Sequence, residues 1–140
     1  MSHSNRTGFA LQLWPEPYAV ARLRRPPDPW PHLDAAAPPV AVVIGNGEVS
    51  VIAPEAAVDA LGEIVEKASR GWRAITIDAV LPLETVGVLA AVSRALADVG
   101  IPVMAFASHD TDHFLVPAAS LGRALAALGS ARLERLVRSD

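Results

Sequence analysis

Two short stretches of the chain carry side chains and backbone groups suited to binding a small molecule. One is Glu84, Thr85, Val86, Gly87 and Val88, where a helical periodicity begins; the other is the run Ser108, His109, Asp110, Thr111, Asp112 and His113. A helix opening at the first stretch leaves backbone N–H groups without intrahelical partners and carries partial positive charge. Thr85, Val86, Gly87 and Val88 could therefore hold a carboxylate, and Gly87 lets a ligand approach the backbone closely. The second stretch offers four possible metal ligands, His109, Asp110, Asp112 and His113, but their spacing matches no established site. A tight turn between the histidines also breaks the geometry by which alternate strand residues share a face, so no metal is expected. Ser108, His109 and Asp110 are the residue types of a hydrolytic triad, yet adjacent positions cannot aim at one another in a relay. Bland roles stand beside the sharp ones: Asp112 could cap a turn, and Glu84 could be a charge favoured by the helix dipole. The chemistry on offer is binding, not catalysis.

The elements that must position these residues are legible around them. Val88, Leu89, Val92, Leu96 and Val99 recur every three to four residues, which predicts a helix from Glu84 to Val99 stopped by Gly100. Ile101 to Ala107 reads as a buried strand, His109 to Asp112 as a turn, and Phe114 to Val116 as the antiparallel return. Trp72 to Ala79 supplies the preceding strand. Pro117 opens a helix through Leu128, and Ala131 to Arg138 is compatible with helix or strand. Upstream, Phe9 to Trp14 and Tyr18 to Leu23 read as two strands broken by Pro15 and Pro17. Six of the 12 prolines fall between Arg24 and Pro39, which predicts a loop with at most a helical turn near His32 to Ala37. Val40 to Ile44 and Glu48 to Ile52 flank Gly45, Asn46 and Gly47 as a hairpin. A dinucleotide-binding reading of that glycine pair fails because a strand follows where a helix is required. Val58, Leu61, Ile64, Val65 and Ala68 predict a helix from Glu55 to Ser69.

Composition sets outer bounds. Hydrophobic residues make up 51% and charged residues 19%, ample for a core in 140 residues. A net charge of −3 removes the attraction that nucleic-acid binders and polybasic membrane proteins depend on. With no cysteine, disulfides, thiolate metal sites and cysteine nucleophiles are excluded. The opening MSHSNRTG has no apolar signal core, and no apolar run approaches the roughly 18 residues of a membrane span. A cytoplasmic protein without nucleic-acid or membrane partners is expected, divided into a disordered start at 1–8, an N-terminal half at 9–70 and a C-terminal domain at 71–140.

The segment GVLAAVSRALADVGIPV at 87–103, with Glu84, Gly87, Val88 and Leu89, resembles the signature of ACT domains. GWRAITI at 71–77 and ASHDTDHFLVP at 107–117 resemble, more narrowly, the tandem-ACT group related to the CASTOR-type amino-acid sensors. Residues 9–70 are similar more weakly, through LQLWPEPYAVARL and VSVIAPE. The resemblance implies an α+β chain with a ferredoxin-like βαββαβ ACT domain, as two ACT-like halves in tandem with possible strand exchange between them. It implies amino-acid sensing without catalysis or cofactor. In that pattern the hairpin aspartate contacts the ligand's amino group, and Asp112 stands at its position; Ser108 and His109 align with neighbouring pocket positions. Thr85 stands where arginine sensors carry an acidic residue, which points away from arginine. The expected ligand is an amino acid or similar zwitterion held by Thr85, Val86, Gly87, Val88, Ser108, His109 and Asp112, in a homodimer that regulates a protein partner. Two competing readings are a ligand-free interaction module pairing through its sheet edges and a metal-dependent enzyme using HDTDH. The enzyme reading lacks a nucleophile, base and oxyanion site together.

Overall fold

The computed structural model describes residues 11–31 and 33–130. They sort into two compact units, one formed by Glu16–Trp72 and the other by 11–15 with 73–130. Strand β1, Leu11–Leu23, and strand β4, Val65–Ile77, each contribute residues to both units.

In the 16–72 unit, residues 16–23 of β1 and 65–72 of β4 join β2 (Ala41–Gly45) and β3 (Glu48–Pro54), in the order β2-β3-β1-β4. The expected hairpin closes at Gly45 opposite Glu48, with Asn46 at φ 53° and Gly47 at φ 75°. Two successive positive φ values are what a two-residue loop needs to match the strand twist, and Asn-Gly reaches them at little cost. The core gathers Ala19, Ala21 and Leu23 from β1, Val51 and Ala53 from β3, then Val58 and Ile64. Tyr18 is fully buried, and its hydroxyl donates to the Pro39 carbonyl at 2.7 Å, which anchors the end of the proline-rich loop.

Three expectations change here. Pro15 and Pro17 do not break the strand: β1 runs through both, because its ladder with β3 starts at Tyr18 opposite Pro54 and asks neither proline for an N–H. The helix expected at Glu55 to Ser69 is only α1, Glu55–Ala60, followed by a short 3-10 turn at Gly62–Ile64. Gly62, at φ 64°, takes the left-handed conformation that ends the helix, and the chain from Val65 is extended as β4. Glu55 and Asp59 on α1 then hold the far part of β4: Glu55 accepts from the Gly71 N–H at 2.9 Å, and Arg70 pairs with Asp59 at 2.5 Å. No helical turn forms near Ala37; Asp34 instead closes a local turn, accepting from Ala36 N–H on its side chain and Ala37 N–H on its carbonyl. His32 and Phe9 lie outside the described residues.

The other unit runs from 73–77 of β4 through α2 (Val88–Ala97), β5 (Met104–Ala107), β6 (Asp112–Pro117) and α3 (Leu121–Ser130). Its strand order is β1-β4-β6-β5, with residues 11–15 supplying the fourth strand. Numbered along a βαββαβ path, the strands of each unit lie in the order 4-1-3-2. This unit enters that path at β4 and takes its last strand from the start of the chain, whereas the 16–72 unit has the loop at 24–40 in place of its first helix. The core packs Val88, Val92 and Leu96 of α2 and Ala124 and Leu128 of α3 against Ile75, Ile77, Phe114 and Val116.

Helix α2 begins one turn later than its periodicity suggested. Its buried stripe is Val88, Val92 and Leu96, while Leu89 and Val99 are exposed, so the helix turns a narrower face inward. Gly100 ends it as expected, left-handed at φ 72°, with Ile101 N–H donating to the Leu96 carbonyl at 2.9 Å. Pro117 opens a 3-10 turn, Ala118–Ser120, before α3 starts at Leu121. Residues 131–138 lie outside the described residues. Among the described residues no helix is long and apolar enough to cross a membrane.

Candidate functional site

The end of β4 and the loop that follows it are tied to the second of the two chemically rich stretches. After Ile77 the chain enters a loop whose Leu81 side chain is buried in the core and whose Leu81 N–H donates to the Asp110 carbonyl at 2.6 Å. From the other side, Thr111 Oγ1 donates to the Ile77 carbonyl at 2.7 Å. The turn between β5 and β6 is thereby tied both to the last residue of β4 and to the loop that leads into α2. Each tie satisfies a backbone group that a loop would otherwise leave unpaired.

Within the loop, Thr85 N–H donates to the Pro82 carbonyl at 2.9 Å, so of the four residues singled out for their backbone, Thr85 has its donor engaged. Gly87 sits at φ 95° and ψ −13°, and its carbonyl accepts the first helical bond, from Ala91 N–H at 2.9 Å. Among the described residues no side chain caps the helix. The N–H groups of Val88, Leu89 and Ala90 therefore open α2 without intrahelical partners. Val88 turns its side chain into the core, while Val86 is 82% exposed; Val80, Leu83 and Leu89 are exposed as well, giving the helix entrance an apolar rim.

The hairpin turn is built around Ser108. Its N–H donates to the Thr111 carbonyl at 3.0 Å and its hydroxyl to the same carbonyl at 3.3 Å. His109 and Asp110 pair with each other at 2.7 Å, both largely in solvent. Asp112 is half-exposed and opens β6 opposite Ala107. Ser108, Thr111 and the neighbours of Asp112 are thus brought together. Among the described residues no hydrogen bond or ion pair joins 84–88 directly to Asp112.

His113 is where the sequence was least informative. It is 7% exposed, stacked on Phe106 at 4.9 Å between ring centroids, with Nδ1 2.8 Å from Thr76 Oγ1 and Nε2 3.0 Å from Ser108 Oγ. Thr76 in turn accepts from the Trp14 indole N–H at 2.9 Å. Burial lowers the pKa of His113 below its ordinary value, while the Asp112 carboxylate works the other way. In HDTDH, then, one histidine points outward to Asp110 and the other has both ring nitrogens engaged in the interior, so the run does not converge as a ligand set. Alternation along β6 puts His113 and Leu115 on one face and Phe114 and Val116 on the other, but both faces are buried, so it could not single out His113.

Each unit also carries a concavity away from these residues. The 16–72 unit has an apolar cavity of about 250 Å³ among Leu23, Trp30, Leu33, Val42 and Leu61. Between α2 and α3 a shallower groove of about 880 Å³ is lined by Arg94, Asp98, Arg123 and small residues.

Against known proteins, residues 67–130 match the family model of the ACT domain. No curated protein matches the chain. Among solved structures, a protein from Agobacterium tumefaciens superposes with a TM-score of 0.69 at 20% identity, covering 89% of each chain. A protein of unknown function from Vibrio cholerae, described as a possible transport protein, gives 0.67 at 21% identity over 90% of this chain and 91% of that one. The regulatory subunit of aspartate kinase from Thermus thermophilus gives 0.60 at 16% identity over 87% and 97%. At such identities the likeness is one of fold. Residues 67–130 are similar to the ACT domain, and the mixed α/β architecture with antiparallel pairing is the ferredoxin-like fold of such domains.

Proposed function

We propose that the protein is a non-catalytic regulatory sensor that binds an amino acid or similar zwitterion where the loop at 84–88 meets the turn at 108–112. The observation that supports this reading is the bond from Leu81 N–H to the Asp110 carbonyl, which ties the loop leading to the donor-rich start of α2 to the acceptor-rich hairpin turn. The free N–H groups at the start of α2 suit a carboxylate, with Gly87 offering no side chain to obstruct it. Asp112, with Ser108 and His109 near it, suits an ammonium through a charge-assisted hydrogen bond. The sequence likeness to the CASTOR-type tandem group supports the same assignment, and Thr85 argues against arginine as the ligand. Exposed Val80, Leu83 and Val86 give a ligand side chain, or a second subunit of a homodimer, an apolar surface to meet. Occupancy would then be passed to a regulated protein partner in the cytoplasm. Isothermal titration of the folded chain with each proteinogenic amino acid tests the reading: at least one should bind, and absence of heat and of thermal shift for all would remove amino-acid sensing.

A ligand-free interaction module is the second reading. It is favoured by β2, last in the strand order of its unit, where Val43 and Ile44 are exposed and no charged residue guards the strand. Dimerisation that ignores every amino acid and is abolished by Val43→Lys would favour it.

A further inference from the structure

One direction of hydrogen bonding around His113 gives every donor a partner. Thr76 Oγ1 receives the Trp14 indole N–H at 2.9 Å, and its own proton finds an acceptor in its other partner, His113 Nδ1 at 2.8 Å, when that nitrogen is unprotonated. With Nδ1 accepting, the neutral ring carries its proton on Nε2 and donates it to Ser108 Oγ at 3.0 Å. Ser108 passes its proton to the Thr111 carbonyl at 3.3 Å. Every donor in the chain Trp14, Thr76, His113, Ser108 then has an acceptor. The opposite ring tautomer would aim Nδ1–H at a threonine oxygen already receiving the indole, leaving the threonine proton without one of these partners in a nearly buried site.

We infer that His113 is a positioning residue for the hairpin end of the site. As the Nε2–H tautomer it fixes the Ser108 hydroxyl with its proton turned onto Thr111 and its remaining lone pair outward, so the turn accepts an ammonium and rejects a carboxylate. This rests on the proposed zwitterion site and adds a reason for its polarity. A serine hydroxyl left to rotate could donate or accept and would not discriminate; Ser108 is exposed, yet its proton is committed inward from the buried side. Asp112, the next residue on β6, adds charge of the sign that a bound ammonium needs. His113 touches no ligand itself and acts through Ser108.

The test uses the full chain and two small probes, methylammonium and acetate. Long-range ¹⁵N NMR of the free protein at neutral pH should show His113 as neutral Nε2–H; the Nδ1–H tautomer would overturn the proposal. Methylammonium should move the Ser108 and Asp112 amides, and acetate those of Val88 and Leu89. In Ser108→Ala, an exposed change, the methylammonium response should fall about tenfold. His113→Phe keeps a ring on Phe106 but frees the hydroxyl, so acetate should begin to move Ser108; unchanged discrimination in that variant, where it folds, counts against the positioning role. Acetate acting at Val88 with no methylammonium response at Ser108 overturns this inference and leaves the carboxylate end standing. If neither probe moves either end, the zwitterion site itself falls.

Discussion

Ser108 and Asp112 show the limits of reading single residues. Their types marked the turn as chemically rich, and the turn is there, but the sequence could not tell that His113 faces inward while His109 faces out, because that depends on which face of β6 is covered. Removing a charge-assisted hydrogen bond from such a site costs about 1.5–3 kcal/mol. Asp112→Asn should therefore weaken amino-acid affinity at least about tenfold with an unchanged circular dichroism spectrum; equal affinity would remove the ammonium contact. His113 makes a separate prediction about stability. Its folded pKa lies below the unfolded value, so the unfolded chain binds the proton more readily. Its stabilising contribution is whole above the ordinary histidine value of about 6.5 and is lost as pH falls through that value, the loss ending below the folded pKa. The groups facing the ring are Asp112 on its own strand, Thr76 from β4, Phe106 from β5, Trp14 from β1 and Ser108 from the turn. Of these only Asp112 is charged, and it moderates the effect. Urea unfolding at pH 7.5 and 5.5 should show a larger acid loss in the natural chain than in His113→Phe; equal losses would contradict this.

At the scale of elements, periodicity found every helix and strand near the site but misplaced several ends. The stripe Val58, Leu61, Ile64, Val65, Ala68 fits a helix on spacing alone, and what overrode it is Gly62 in a left-handed conformation with β4 drawn into the sheet. Likewise Pro15 and Pro17 argue for a break only if both sides of β1 must donate, and the β3 ladder begins beyond them. The start of α2 was displaced by Gly87, whose φ of 95° is outside the helical region and lets the chain turn into the helix. Gly87→Ala should destabilise the protein by about 1–2 kcal/mol through left-handed strain, read as a lowered melting temperature, while a loss below about 0.3 kcal/mol would show that the backbone relaxes there. Leu96, fully buried on α2, sets the scale for packing: Leu96→Ala should cost about 2–5 kcal/mol in denaturant unfolding. A cost near zero would mean that α2 does not pack as described.

For the molecule as a whole, the helix, strand and hairpin at 84–117 were enough to suggest the ACT fold. Strand exchange between the halves was expected as a possibility, but not which segment supplies the fourth strand of the unit at 73–130. Residues 11–15 lie some sixty positions from 73–77, and no local pattern announces that they belong in one unit. Nor does composition reveal that the loop at 24–40 takes the place of a helix; its prolines forbid one but do not say that one is due. One zwitterion should span the start of α2 and the hairpin turn, and a crystal structure of the protein with the amino acid that gives the largest heat is the decisive test. The ligand carboxylate should lie on the backbone N–H groups following Gly87 and its ammonium on Asp112 and Ser108. Density for the ligand in the apolar cavity near Trp30, or anywhere that leaves Asp112 free, would contradict it.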